Sequence, residues 1–398
     1  MLAGVSGCVD RSDVGGFGAD AGPTATEGGS TEEGGAVDAE GGRPTADVAP
    51  STIRIAAGGL STCAVDAKGA AKCWGDNVHG SLGIGSFTPE TSETAVAVSG
   101  LSSGVRAIAG GPFAQCAILL DGTARCWGRS LFGEIAGAGS FESVDMPKPH
   151  DKTGLSNDVA QITFGVSFGC ALTTKGRAKC WGLGGAGQLG TGVTDDEFAA
   201  RDVAGLDEPA VHIAAAMGGL FACAVTVSGK VRCWGENGER QLGTKTPKDA
   251  LPSPVEGLDP DVVAVGAGRA HACALYKNGG VACWGSNAKA QLGSGTTGPA
   301  SPPQKVAGVE TASKLFVGAD HACAIVADGK TLCWGSNLAG EVGPGTGPLA
   351  PTITFPAAFG AVAVAAGFNH TCAINAQNMV SCVGDGSRKQ TGQSAFSL

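Results

Sequence analysis

The chain has 398 residues, 67 of them glycine, with 36 acidic against 27 basic side chains and a net charge of −9. So much glycine beside so little Lys and Glu argues against a helical protein and calls for many tight turns. No apolar run reaches the ~18 residues of a membrane-spanning helix; the richest, residues 357–366, is broken by Gly360.

Charge is concentrated at the N-terminus. The first fifty residues hold nine acids and two bases, whereas the remaining 348 hold 27 acids and 25 bases. A folded part so close to neutral lacks the basic footprint of a nucleic-acid binder, so no nucleic-acid partner is expected. Twelve glycines among the first fifty residues, mixed with Ser, Thr, Pro and acids, and no apolar period, make residues 9–45 a disordered linker. Ahead of it, Val5-Ser6-Gly7-Cys8 resembles a bacterial lipobox, in which a signal peptide is cut before the Cys and the Cys takes a lipid. Only seven residues precede Cys8, too few for the charged start and apolar stretch of a signal peptide. We therefore expect a true start upstream, residues 1–8 as the remnant of a lipoprotein-type signal, and Cys8 as the lipidation candidate. Membrane contact would run only through that anchor.

From residue 46 onward the cysteines act as a ruler. They fall in seven pairs: Cys63 and Cys73, Cys116 and Cys126, Cys170 and Cys180, Cys223 and Cys233, Cys273 and Cys283, Cys323 and Cys333, and Cys372 and Cys382. The spacing within a pair is always ten, and successive pairs start 53, 54, 53, 50, 50 and 49 residues on. Trp-Gly follows the second Cys in six copies, at Trp74, Trp127, Trp181, Trp234, Trp284 and Trp334, and the seventh has Val383-Gly384. A Gly-Gln-Leu-Gly turn comes next, cleanest at residues 187–190. A small-residue strand precedes each pair, and a Val-x-Gly-Leu element separates several repeats.

The hairpin inside each repeat follows from turn chemistry. In residues 116–126 a three-residue loop, Leu120-Asp121-Gly122, needs a left-handed residue third. Glycine holds that place at 69, 122, 176, 229, 279 and 329, and Asn378 holds it in the seventh copy. Leu119 then faces Thr123 as a hydrogen-bonded pair, and Cys116 faces Cys126 as a non-hydrogen-bonded pair, with Cα atoms ~4.5 Å apart. That is disulfide range. Three readings of the pairs compete: cross-strand disulfides, which the facing geometry favours, reduced core cysteines, and metal sites. Zinc wants four converging ligands at shorter spacing, and each repeat offers two.

Each repeat supplies one four-stranded antiparallel unit, and seven such units close radially. The expected fold is all-β: a seven-bladed β-propeller over residues 46–398, preceded by the disordered tail. The run Gly268-Arg-Ala-His-Ala-Cys-Ala-Leu275, then Asn278-Gly279, Cys283-Trp-Gly-Ser-Asn287 and Gln291-Leu-Gly293 resembles the regulator-of-chromosome-condensation repeat family. The resemblance implies seven blades whose chain ends can complete one sheet, with residues 46–55 and 393–398 as candidates for that closure. Nuclear members mostly carry other apolar residues at the two Cys positions, so the pairs mark a bacterial extracytoplasmic branch.

No catalytic residue, metal site or cofactor is expected. His271, His321 and His370 share one repeat position, two before the first Cys, which suits a structural role at a strand edge. His79, His150 and His212 stand alone and read as surface residues. Asp195-Asp196-Glu197 reads as a solvated loop. Function is sought where the repeat is broken, in the variable connections 87–94, 137–154, 191–202 and 244–254. There Phe141, Met146 and Phe198 are the candidate contacts. The leading function is a non-enzymatic recognition module outside the cytoplasm, monomeric, in the bacterial envelope or secreted, with an unidentified protein partner. A glycan-binding or hydrolytic propeller is the alternative, and a guanine-nucleotide exchange regulator, implied by the resemblance, is the next.

Overall fold

A computed structural model of the chain describes residues 7–10, 54–135, 144–152, 154–343, 349–354, 360–393 and 396–398, with backbone alone at 7–10 and 349–354. Seven antiparallel sheets follow one another, each made of four consecutive strands in chain order. In blade four these are Ala210–Ala215, Phe221–Thr226, Val231–Glu236 and Lys248–Pro254. The first strand of every blade is innermost: Ile55–Ala57, Val105–Gly110, Val159–Gly165, Ala210–Ala215, Val262–Ala267, Ala312–Val317 and Ala361–Ala366. Each touches the next, and the first touches the seventh, so the ring closes. Alanine and glycine dominate these strands because seven of them converge near one axis, where larger side chains would hold them apart.

The hairpin obeys its turn. Leu119 N–H donates to the Thr123 carbonyl at 2.9 Å and Gly122 N–H to the Leu119 carbonyl at 3.0 Å. Gly122 has φ 82° and Asn378, its counterpart in blade seven, φ 59°. Cys116 is paired in register with Cys126. The open choice among disulfide, thiol and metal closes on the disulfide in every blade. Cys63 is bonded to Cys73, Cys116 to Cys126, Cys170 to Cys180 and Cys223 to Cys233. Cys273 is bonded to Cys283, Cys323 to Cys333 and Cys372 to Cys382. The Cα atoms of each pair lie 4.0–4.1 Å apart, closer than the ~4.5 Å expected of facing residues. Thirteen of these cysteines are buried, and Cys382 is half-buried. Its two-residue outer strand pairs only with Met379 and Val380, so it stops short of covering Cys382. The Trp-Gly step has its own cause. Gly235 sits at φ 110°, and a Cβ there would lie 2.4 Å from the Leu220 carbonyl oxygen, so only glycine lets the third strand pass the second-strand entry.

The core lies between blades. One cluster packs Cys223, Cys233, Val231 and Leu242 of blade four against Val262, Val265, Ala274 and Trp284 of blade five. All six tryptophans are fully buried.

Three expectations need correction. Among the described residues, the two chain ends do not share a sheet. Ile55 opens blade one and Phe396–Ser397 is the outer strand of blade seven. Residues 46–53 lie outside the described residues. The variable connections also contain strands: the outer ones Thr91–Ala97, Val144–Asp151, Glu197–Asp202 and Lys248–Pro254. Prolines at 147, 149, 252 and 254 hid two of them. Proline cannot donate to a ladder, but an outermost strand leaves one side unpaired and accepts it. A further strand, Gly7–Asp10, pairs antiparallel with the inner strand Ala312–Val317 of blade six. The reading of residues 9–45 as an unstructured linker therefore meets a strand at residues 9 and 10; residues 11–45 lie outside the described residues.

Candidate recognition face

In each blade the inner-to-second connection and the third-to-outer turn emerge at the same end of the ring. The inner connections form a mouth around the axis, and main-chain bonds tie them from blade to blade. Val166 N–H donates to the Gly219 carbonyl at 3.1 Å, Met217 to Ala267 at 2.8 Å, Arg269 to Ala319 at 2.7 Å and Ala319 to Gly367 at 3.2 Å.

The third-to-outer turns are built by the Asn and Gln of the repeat. Asn237 Oδ1 accepts from Leu242 N–H at 2.8 Å, and Gln241 Oε1 accepts from Glu239 N–H at 2.7 Å. The same turn joins blades. Trp284 of blade five donates its indole N–H to the Gln241 carbonyl of blade four at 2.9 Å. Trp127, Trp181, Trp234 and Trp334 each reach one blade back in the same way. Trp74 of blade one bonds the Gln390 carbonyl of blade seven at 3.0 Å and closes the circuit. The six tryptophans are thus structural, each joining its blade to the one before it.

The shared histidine position forms a second tie. His370 Nε2 meets Thr62 Oγ1 of blade one at 2.9 Å, and His321 Nε2 meets Thr371 Oγ1 of blade seven at 2.8 Å. His271 faces blade six, where the matching residue is Ala322, and neither of its ring nitrogens has a hydrogen-bond partner among the described residues. All three are fully buried. Burial pushes His370 down to about 3 and His271 to about 4, and lowers His321 as well. His212 was expected at the surface. It is instead buried on the inner strand of blade four, and burial lowers it to about 4.

Charges at the mouth are organised around Asp320. Burial pushes its carboxyl up, but Arg269 at 3.2 Å and Lys289 at 2.7 Å outweigh that and hold it below the usual range. Arg269 also lies 4.4 Å from the Phe368 ring centroid, with Met217 packed nearby. In blade two, Glu134 replaces the turn Gln and is buried, which raises its carboxyl. Lys152 donates to the Gly133 and Phe198 carbonyls at 2.8 and 2.9 Å, 5.1 Å from the Trp181 ring centroid. Burial drives it down to about 7.

The residues singled out as contacts do not converge. Met146 lies on the outer strand of blade two opposite Gly128, and packs on the blade-two core. Phe198 lies on the outer strand of blade three, its ring against Gly133. Both are half-buried anchors. Phe141 lies outside the described residues, and so does the side chain of Cys8. Asp195-Asp196-Glu197 is tied in locally: Asp196 accepts from Gly184 N–H at 2.7 Å and Glu197 pairs with Arg201 at 3.0 Å. Among the described residues, no group of three His, Cys, Asp or Glu could hold a metal. The sequence reading missed the mouth residues Leu220, Glu236, Glu239, Arg269 and Asp320. The signal was available: aligned by the Trp, the fourth copy alone has acids two and five residues on.

The fold and its rim define a disulfide-stapled, seven-bladed propeller with a rigid mouth. Residues 53–81, 159–188, 211–241, 262–291, 312–341 and 361–390 match one description of the "Regulator of chromosome condensation (RCC1) repeat", and 228–275 and 278–325 match a second. Together they cover more than half of the chain, which belongs to the RCC1 repeat family. It is 33% identical over 196 residues to human "E3 ubiquitin-protein ligase HERC2", covering 49% of this chain and 4% of that protein. It is 31% identical over 221 residues to "RCC1 domain-containing protein RUG3, mitochondrial" of Arabidopsis thaliana, covering 54% and 49%. Among solved structures, human WBSCR16 superposes with a TM-score of 0.72 at 19% identity, covering 97% of this chain and 99% of the other. Yeast RCC1 (Prp20), solved bound to Kap60, gives 0.68 at 22% identity, covering 79% and 78%. At these identities the structural likeness speaks for the fold.

Proposed function

We propose that the chain is a non-enzymatic recognition scaffold that works outside the cytoplasm and binds a protein partner through the mouth end of the ring. The observation that carries this reading is the rim. Its backbone is fixed by bonds between blades, while its side chains change from blade to blade. Loops of varied sequence on a rigid frame are where binding concentrates. Seven disulfides, one per blade, fit an oxidising compartment, and support an envelope lipoprotein or a secreted protein. Partner binding by family members supports the partner class: yeast RCC1 is seen with Kap60, and Prp20p of Saccharomyces cerevisiae is described by its binding to Gsp1p and histones. Radial closure leaves only short, protected strand edges, none of which demands a second copy, and this supports a monomer.

The tail belongs to the same proposal. Residues 9–45 serve as a tether, with a span of roughly 35 Å as a flexible chain, and Cys8 takes the lipid. Residue 8 pairs with Phe316 of the blade-six inner strand, so the lipidated form requires that pairing to be released. Intact-mass measurement of the native protein tests the anchor: an unmodified Cys8 removes it. Partner binding is tested by immobilising the full chain, exposing it to envelope extract, and competing with excess free chain. A recovered protein lost on competition is expected; none competed away overturns the reading.

A further inference from the structure

Blade four departs from its siblings at the mouth. A depression of about 410 Å³ opens there, between the inner connections of blades three, four and five and the third-to-outer turn of blade four. Val166 and Leu220 give it an apolar wall, and Glu236 and Glu239 an acidic one. Both acids are exposed. Neither side chain makes an ion pair or hydrogen bond with any other described residue.

The nearby cations do not neutralise them. Arg269 lines the depression, but its guanidinium is held by Asp320 and lies over Phe368, and Lys289 also goes to Asp320. Arg240, next along the turn, does not line it. No other copy carries acids at both places; the flanking blades have Leu183 and Ala186, and Ser286 and Lys289. Gly238 leaves the space open between the two acids. A Cβ built there meets nothing within 4 Å, so no packing argument explains the glycine. The walls need no rearrangement on binding, because Val166 N–H is bonded to the Gly219 carbonyl and Met217 N–H to the Ala267 carbonyl.

We infer that this depression receives an arginine or lysine side chain projecting from the partner protein. The aliphatic stem lies along Val166 and Leu220, and the charged head sits between Glu236 and Glu239, as long cationic side chains divide themselves between apolar and polar surroundings. The inference rests on the recognition reading above and gives that partner a required chemistry.

The test titrates the full chain, at low ionic strength, with acetyl-Gly-Arg-Gly-amide while following the Leu220 methyl resonances. The neutral analogue carrying citrulline is the control. A saturable Leu220 shift with the arginine peptide is expected. Affinity should fall at least about tenfold for the citrulline peptide and for Glu236→Gln/Glu239→Gln, and vanish for Gly238→Trp, which fills the space. Unchanged thermal melting of the variants establishes that they fold. Equal binding of the two peptides, undiminished binding by either variant, or no saturable shift overturns the inference. Partner capture separates it from the reading beneath. If both variants recover the same partner as the parent chain, the depression is not the site and the scaffold reading stands. If the parent chain recovers none, the scaffold reading falls with it.

Discussion

His271 offers the sharpest quantitative test, because it is fully buried and neither ring nitrogen has a hydrogen-bond partner among the described residues. Burial pushes it from 6.5 down to about 4. The native state therefore keeps the ring neutral where the unfolded chain takes up a proton. The associated stability is complete above pH 6.5 and is lost progressively as pH falls towards 4. Each pH unit inside that window costs about 1.4 kcal/mol. Lowering the pH from 7 to 5 should then cost roughly 2 kcal/mol through this one side chain. His271→Leu removes the titration without breaking any hydrogen bond. At pH 7 the variant should match or exceed the parent, since an unsatisfied buried polar group costs about 1–3 kcal/mol. Between pH 7 and 5 it should lose about 2 kcal/mol less. Urea unfolding followed by tryptophan emission at both pH values measures the difference. Parallel losses for the parent and His271→Leu would refute the reasoning.

Other outcomes follow from the same structure. Thiol titration of the folded, non-reduced protein should find at most one free thiol, Cys8, and denaturing reduction should release the other fourteen. Cys223→Ser/Cys233→Ser should cost about 3 kcal/mol through loop-closure entropy alone, read from denaturant midpoints. Trp284→Phe removes the bond to the Gln241 carbonyl and should cost about 2 kcal/mol, whereas the same change at an exposed aromatic should cost little. Lys152 is lowered from 10.5 to about 7 by burial, so the parent should gain stability as pH rises through that window. Lys152→Met should abolish the gain, and a variant that keeps it would assign the effect to another group.

Much of the scaffold was legible in the sequence because its causes are local. Gly122 at the third loop position places Cys116 opposite Cys126, and both facts sit within one short hairpin. The regular Trp likewise announced packing. What escaped depends on which blades become neighbours. His271, His321 and His370 share one sequence position, yet two have a threonine partner and one faces Ala322, which only the ring order decides. His212 stands alone in the sequence but lies on the inner strand of blade four, which buries it. The half-exposure of Cys382 is likewise invisible in its spacing from Cys372, because it depends on how far the outer strand of blade seven extends. Met146 and Phe198 were read as loop contacts because the outer strands that carry them show no β pattern. The acids at 236 and 239 gain meaning only once Val166 and Leu220 are brought beside them.

Every disulfide joins two strands of a single blade, and none crosses a seam. Covalently, the oxidised chain is still an open string of seven knotted beads, and the circle is held shut by non-covalent ties such as Trp74 and Thr62 to the Gln390 carbonyl. Pulled from both ends, it should first release Gly7–Asp10 from blade six and then part where bead one meets bead seven. The beads should then yield singly, each releasing about 30 Å less thread than its residue count allows, because its staple withholds the ten-residue span between its cysteines. Under a reductant that withheld length should return in seven steps, while the order in which the beads let go stays the same.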